Sequence, residues 1–341
     1  MFKIVQLNAE NLFLFLDDQT PRDWRNLGER EWQRLSSATV PNKPLVKTLW
    51  LADTLLDINA DIVCLNEVGG EESLHNFAKH FLNGRYKPYL MEGNSDRGID
   101  IGYLVRDDFP FKMELRTHKN RPLNFLYPHE RETNLYLEGL EPERVIKTHY
   151  FSRDCAELRI FGEGSLEPKL IILLVHLKSK LDPEGIDPEG FERRTAEVKT
   201  LMDIYREIRT EYSPSIPTIV TGDFNGSARK GGRAEEFAEL EKTDLESVID
   251  IVGHDGELAT TQIQFSRSSG VQFLQIDFLF VSPELKEHLL SESVGIYRYK
   301  SDLRVALPLP KTLDQRTYLP SDHYPVVATF KDFLGRSPTK D

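Results

Sequence analysis

Short strand-like runs alternate with helical patterns along the whole chain, and no linker divides them. Strands are expected at residues 3–8, 61–65, 86–91, 99–105, 112–116, 154–160, 170–176, 218–222, 275–281 and 325–330. Leu45, Leu49, Ala52, Leu55 and Leu56 fall at helical spacing, and Leu74, Phe77, Ala78 and Phe81 mark one face of a second helix. Helices are also expected over 190–210 and 233–249, and one starts at Ser282-Pro283-Glu284, with serine as cap and proline in the first turn. The strands are many and follow no simple strand–helix–strand rhythm. This pattern predicts two packed sheets with helices outside. Residues 17–44 carry Pro21, Gly28, Pro41 and Pro44 without a clear period, and are expected to be an insertion within one domain over 1–334. Residues 335–341 read as a flexible tail.

The composition, 39% hydrophobic and 29% charged over 341 residues, suits a globular protein with a large core. It excludes collagen-like, low-complexity and disordered chains. The 55 acidic residues outnumber the 43 basic ones, giving a net charge of −12. A surface built as a nucleic-acid grip would be basic. Any polyanion binding must therefore come from a local basic patch or a metal ion. Cys64 and Cys155 cannot form a disulfide framework, and Cys64 lies in an apolar run as a small core residue. The N-terminus is a strand pattern rather than a signal segment, and the longest apolar run, Leu170 to Val175, is too short to cross a bilayer. The expectation is a soluble cytoplasmic protein with no membrane partner and no evident obligate protein partner.

Polar residues recur where strands begin or stop. Asn8 and Glu10 end the first strand, Glu67 the second, and His176 the apolar run at 170–175. Asp223 and Asn225 follow the strand at 218–222, Asp277 opens the next, and Asp322 and His323 precede the last. Each alone reads as a turn, cap or boundary residue. Together they would converge on one rim if the sheets pack face to face. Such an oxygen-rich set with titratable partners suits Mg²⁺, with Mn²⁺ or Ca²⁺ as substitutes, and phosphate chemistry. Zinc is disfavoured, because the chain has no paired Cys and no His-x-x-x-His spacing.

Six motifs in order, from Leu7-Asn8-Ala9-Glu10-Asn11 through Asn66-Glu67-Val68, His176, Gly222-Asp223-Phe224-Asn225 and Ile276-Asp277-Phe278 to Ser321-Asp322-His323, resemble the endonuclease/exonuclease/phosphatase superfamily, the pancreatic-deoxyribonuclease-like fold. The resemblance spans almost the whole chain. It implies an α/β four-layer sandwich of two packed mixed β-sheets flanked by helices, and a metal-dependent phosphodiester hydrolase, most simply a nuclease. It also implies roles. Glu67 would be the main metal ligand, helped by Asn8, Asp322 and Glu10. Asp223 and Asn225 would orient and deprotonate the attacking water. His323, with Asp277 as its carboxylate partner, would grip a phosphate oxygen, and the strands that bear the two are expected to be neighbours. His176 matches a second histidine of the deoxyribonuclease-like branch. Arg153, in Ser152-Arg153-Asp154, matches an arginine that contacts the site.

Relatives in that branch pair the second histidine with an acid on the preceding strand. Here Asp100 is the nearest candidate for His176, and a bond from Asp100 to Arg97 or to a loop amide is an equal rival. Basic clusters at His176-Leu177-Lys178-Ser179-Lys180, Arg193-Arg194 and Arg229-Lys230-Gly231-Gly232-Arg233 supply candidate phosphate contacts, Lys178, Arg229, Lys230 and Arg233 among them. The rival reading of each is a solvated charge run. The same fold also serves phosphomonoesterases and phospholipases acting on inositol phosphates or sphingomyelin, and a catalytically inactive binding module is the alternative from another class. The substrate is therefore nucleic acid or another phosphate ester.

Overall fold

The computed structural model describes residues 1–16, 21, 23–212, 215–266, 270–331 and 333–335. The strand-like runs pair into two six-stranded sheets and a hairpin. In chain order the strands are β1 (Phe2–Leu12), β2 (Ile62–Val68), β3 (Tyr86–Leu90), β4 (Asp100–Arg106), β5 (Lys112–Thr117), β6 (Cys155–Phe161), β7 (Pro168–His176), β8 (Thr218–Asp223), β9 (Glu246–Ser247), β10 (Gln262–Ser266), β11 (Gly270–Leu274), β12 (Asp277–Val281), β13 (Gly295–Ile296) and β14 (Val326–Phe330). The first sheet has the order β13-β14-β1-β2-β4-β3, the second β5-β6-β7-β8-β12-β9. The central pairs β1–β2 and β7–β8 are parallel and their neighbours antiparallel, so both sheets are mixed.

The central strands are covered on both faces, which explains their near-continuous apolar runs. Alternation still sorts the side chains. Ile4, Ile62, Cys64, Leu170, Ile172, Leu174, Ile219 and Leu279 fill the layer between the sheets. Val5, Leu7, Val63 and Leu65 face outward against the helix Leu45–Ile58, through Leu51 and Leu55. Ile171, Leu173, Val220 and Phe278 face outward against the helix Phe191–Glu211, through Val198 and Leu201. The result is the expected four layers. Cys64 and Cys155 are both free and buried.

The structure corrects several local expectations. Residues 233–249 are not one helix. A 3₁₀ segment, Glu235–Lys242, ends where the Thr243 hydroxyl donates to Leu240 O and accepts from Leu245 N, and the chain then forms β9 against β12. The strand expected from Gln275 starts at Asp277, and the β10–β11 hairpin before it carried no expectation. In the segment over 17–44, Trp24 and Trp32 pack with Phe81 on the outer side of the first sheet. Residues 17–20 and 22 of that segment, and the expected tail from 336 on, lie outside the described residues.

Candidate active site

The inner faces of the central strands are apolar in the middle and polar at one end. On β1 the inward series runs Ile4, Gln6, Asn8, and on β2 it runs Ile62, Cys64, Asn66. In the second sheet His176 pairs with Asp223, and Asp223 with Asp277, so three titratable side chains stand in one row across β7, β8 and β12. Asn8, His176, Asp223 and Asp277 are each at most 3% exposed. Buried polar groups of this kind need partners, and they find them across the gap between the sheets. Asn8 Nδ2 donates to Asp223 Oδ2 at 3.0 Å and to Glu67 Oε1 at 3.2 Å. Gln6 Nε2 donates to Asp277 Oδ1 at 3.0 Å, and Asn66 Nδ2 to Val175 O at 2.8 Å.

His323 joins this row from the first sheet. Its Nδ1 lies 2.8 Å from Asp277 Oδ2. The sequence alone implied that the strands bearing this pair would be neighbours. They are not: β12 belongs to the second sheet, and His323 leads into β14 of the first. Facing sheets, rather than adjacent strands, bring the pair together. The missed hairpin holds it in place. Ile263 N donates to Asp322 O, Tyr324 N to Thr261 O, and Gln262 Nε2 lies 2.9 Å from His323 Nε2. Ser321 Oγ donates to Asn8 O and accepts from His323 N, which ties the same loop to β1.

Charge follows from this packing. Burial alone would lower the His323 pKa, but Asp277, through charge and hydrogen bond, and then Asp322 and Asp223, hold it well above the ordinary value. His323 is therefore a cation near neutral pH. Burial, then the charge of Asp277, raises the Asp223 carboxyl to about 7. Burial, then the charges of Arg153 and His323, keeps His176 neutral. The His176 Nε2 is 3.6 Å from Asp223 Oδ2, and its Nδ1 has no hydrogen-bond partner among the described residues. Asp100 is not that partner. It sits on β4 of the first sheet and accepts the Gly93 amide at 2.8 Å, so His176 faces Asp223 instead.

Glu67 reaches the rim through a local distortion. Strict alternation would place it outward with Val63 and Leu65. The β2–β4 register breaks between Asn66 and Val68, and Glu67 has φ +60°. β1 is irregular at the same height, with Glu10 and Asn11 also at positive φ. The Asn11 amide then donates to Glu67 Oε2 at 3.0 Å. Among the described residues no lysine or arginine forms an ion pair with Glu67, so a partly exposed carboxylate faces the rim beside Asn8 without a cation. Asp322 Oδ2 lies 3.7 Å from Arg316, and its Oδ1 3.9 Å from His323 Nε2. This oxygen donor set fits a hard divalent ion. The tighter group of Asp223, Asp277 and His323 fits one less well, because both Asp277 oxygens are already taken by Gln6 and His323. Glu10 points elsewhere: its carboxylate lies 3.0 Å from Lys47 Nζ and 3.8 Å from Lys43 Nζ.

The substrate-binding candidates separate into two places. Arg153 NH1 donates to Leu177 O at 3.4 Å, the carbonyl that also accepts Asn225 Nδ2 at 3.0 Å. The Asn225 amide in turn donates to Asp223 Oδ1. Arg153 thus stands one carbonyl away from the row, with its Nε unpartnered among the described residues, and it lines a cavity of about 510 Å³ with Lys178, Arg97, Arg193, Tyr127 and His149. Buried Glu197 fastens this wall, accepting from Ser152 N and Lys178 N. Arg229, Lys230 and Arg233 do not line that cavity. Arg229 pairs with Asp255 and Asp250, Lys230 with Glu246, and Arg233 with Glu241.

Sequence reasoning missed Gln6, Asn66, Lys43, Arg97 and Gln262. Gln6 and Asn66 carried a readable signal: an amide inside an apolar strand needs a buried partner. Gln262 carried none, because its hairpin was not foreseen.

A sequence profile of the endonuclease/exonuclease/phosphatase family matches residues 46–323. No curated protein matches the chain by sequence. Among solved structures, truncated TDP2 from Caenorhabditis elegans is similar at 18% identity and TM-score 0.55, covering 97% of each chain. TDP2 of D. rerio, in complex with a single-strand DNA product, is similar at 14% identity and TM-score 0.55, with 97% of this chain and 98% of that one covered. A mannosyl-6-phosphatase of Bacteroides thetaiotaomicron is similar at 16% identity and TM-score 0.53, with 97% and 99% covered. These likenesses concern the fold.

Proposed function

The chain belongs to the endonuclease/exonuclease/phosphatase family, and from that premise we propose that it is a Mg²⁺-dependent phosphodiester hydrolase acting on nucleic acid. The observation that carries the reading is the buried row Asn8, His176, Asp223 and Asp277, completed by His323 and set beside a Glu67 that forms no ion pair with lysine or arginine among the described residues. In this proposal Glu67 holds the ion, with Asn8 and Asp322 beside it, and Mn²⁺ or Ca²⁺ can take its place. A bound divalent ion offsets phosphate charge and stabilises the leaving oxygen.

The other roles belong to the chain's own groups. Asp223 accepts the proton of the attacking water, and a carboxyl poised near neutrality suits a general base. Asn225, at φ +53° and anchored to Leu177 O, orients that water. Cationic His323 offers its Nε2 proton to a phosphate oxygen as charge grows there. With the Gln262 amide rotated, its oxygen accepts that proton at 2.9 Å until a phosphate oxygen takes its place. Neutral His176 supplies a second ring donor. Arg153 and Lys178 hold a flanking phosphate, with Arg229, Lys230 and Arg233 as an outlying patch. The family also includes phosphatases, and a monoester substrate is the competing reading. No helix among the described residues is long and apolar enough to cross a membrane, which is compatible with a cytoplasmic enzyme.

The test is hydrolysis of a labelled oligonucleotide, bis-p-nitrophenyl phosphate and p-nitrophenyl phosphate, each with Mg²⁺ and with excess EDTA. Metal-dependent turnover of the oligonucleotide and the diester, with the monoester poor, supports the proposal. Preference for the monoester overturns the substrate class, and full activity in EDTA overturns the metal role.

A further inference from the structure

Lys43, just before the helix Leu45–Ile58, and Lys47, in its first turn, meet at the rim. Lys43 is 3% exposed, and its Nζ donates to Glu10 O at 2.9 Å and lies 3.8 Å from Glu10 Oε2. Lys47 Nζ lies 3.0 Å from the same carboxylate oxygen. The backbone of Lys43 is fastened on both sides: its N–H donates to Phe13 O, and its C=O accepts Trp32 Nε1 at 2.9 Å. Stability does not explain this placement. Burying an ammonium is costly, and cations at a helix N-terminus oppose the dipole. The compensation is the group of acids that the two lysines face. Glu10 is in direct contact, and Glu67 and Asp322 lie within electrostatic reach of Lys43.

We propose that Lys43 and Lys47 occupy the place of a second cation by neutralising Glu10, so that the rim takes a single divalent ion, at Glu67. This rests on the reading of Glu67 as the metal ligand. Of the three carboxylates, Glu10 meets Lys43 and Lys47, Asp322 meets Arg316 at 3.7 Å and His323 Nε2 at 3.9 Å, and Glu67 pairs with no lysine or arginine among the described residues. Glu67 is therefore the carboxylate left for a divalent ion, and an ion there offsets its charge where an anionic phosphoester must approach. A second ion would meet two ammonium groups already bound to its carboxylate. Glu10 is then a positioning residue that holds the lysines rather than a metal ligand.

The test is Mn²⁺ binding to the metal-free full chain, by titration calorimetry and by the electron paramagnetic resonance signal of free Mn²⁺. The expected stoichiometry is one ion per chain. Glu10→Gln should keep one ion, with affinity within about threefold. Lys43→Met with Lys47→Met should expose Glu10 and add a second, weaker site, which Glu10→Gln on that background should remove. Should the double variant fail to fold by circular dichroism, wild-type stoichiometry and Glu10→Gln still decide. Two ions in the wild type, a tenfold or greater loss of affinity in Glu10→Gln, or a folded double variant with one ion each overturn the inference and leave Glu67 as a ligand. No Mn²⁺ binding by the wild type overturns the metal reading itself, and this inference with it.

Discussion

His323 Nδ1 lies 2.8 Å from Asp277 Oδ2, although the two residues come from opposite sheets. The bond therefore reports on sheet packing as well as on site chemistry. Anything that shifts one sheet against the other moves the proposed cation away from its counter-charge.

Asp277→Asn should keep the shape of the pair and lose its charge. Asp277 raises the His323 pKa against the lowering effect of burial, so the variant histidine should lose its proton at lower pH. The expected result is a fall in kcat of about 10²–10⁴-fold, the usual range for one positioned acid–base group. The rise in KM should be smaller, and the alkaline limb of the pH–rate profile should move to lower pH. An unmoved alkaline limb would remove His323 as the titrating cation.

Glu67→Gln should replace an anionic oxygen by a neutral amide at the proposed ion site. Loss of several kcal/mol of charge stabilisation corresponds to at least about 100-fold in rate. Mn²⁺ affinity should fall with it, while the melting temperature in EDTA stays within a few degrees of wild type. Unchanged affinity in calorimetry would reassign the metal ligand.

Asp223→Asn should separate stability from activity. The folded Asp223 carboxyl is raised to about 7 by burial and then by Asp277, against about 3.9 unfolded. Between these values the folded state binds the extra proton, so stability from this group is present at low pH and falls as pH rises through the folded value. The metal-free variant should thus melt higher than wild type at pH 8, by about 2 °C or more, and lose that advantage near pH 4. It should also be inactive. A variant less stable at pH 8 would mean that the second acceptor oxygen of Asp223 matters more than its charge.

The two basic patches should differ in solution. Arg153→Ala with Lys178→Ala should raise KM for an oligonucleotide about tenfold and flatten its salt dependence by roughly 0.7 per lost phosphate contact on a single strand. Arg229→Ala with Lys230→Ala and Arg233→Ala should do less, because each of these cations already has a carboxylate. Equal effects on the salt slope would place the substrate path over both.

Much of the fold was legible because local rules state it directly. The short strand runs, the helical face of 45–58, the helix expected over 190–210, and the polar residues at strand ends each needed only neighbours in sequence. Asn8, His176, Asp223, Asp277 and His323 were picked out in this way, and they do stand together. Gln6 was equally visible as an amide inside an apolar strand, but nothing local named Asp277 as its partner.

What the sequence by itself determined was which residues alternate, which runs are buried on both faces, and which polar groups sit at their ends. Only the tertiary structure decided that His323 meets Asp277 across two sheets, that Glu67 turns to the rim, that Asp100 belongs to Gly93 rather than His176, and that Lys43 reaches Glu10 from a segment without pattern. The physical reason is that alternation assigns a side chain to a face but not to a sheet. A positive φ at Glu67 reverses even that assignment at one residue, and a buried ammonium or carboxylate takes whichever partner the packing of distant segments provides.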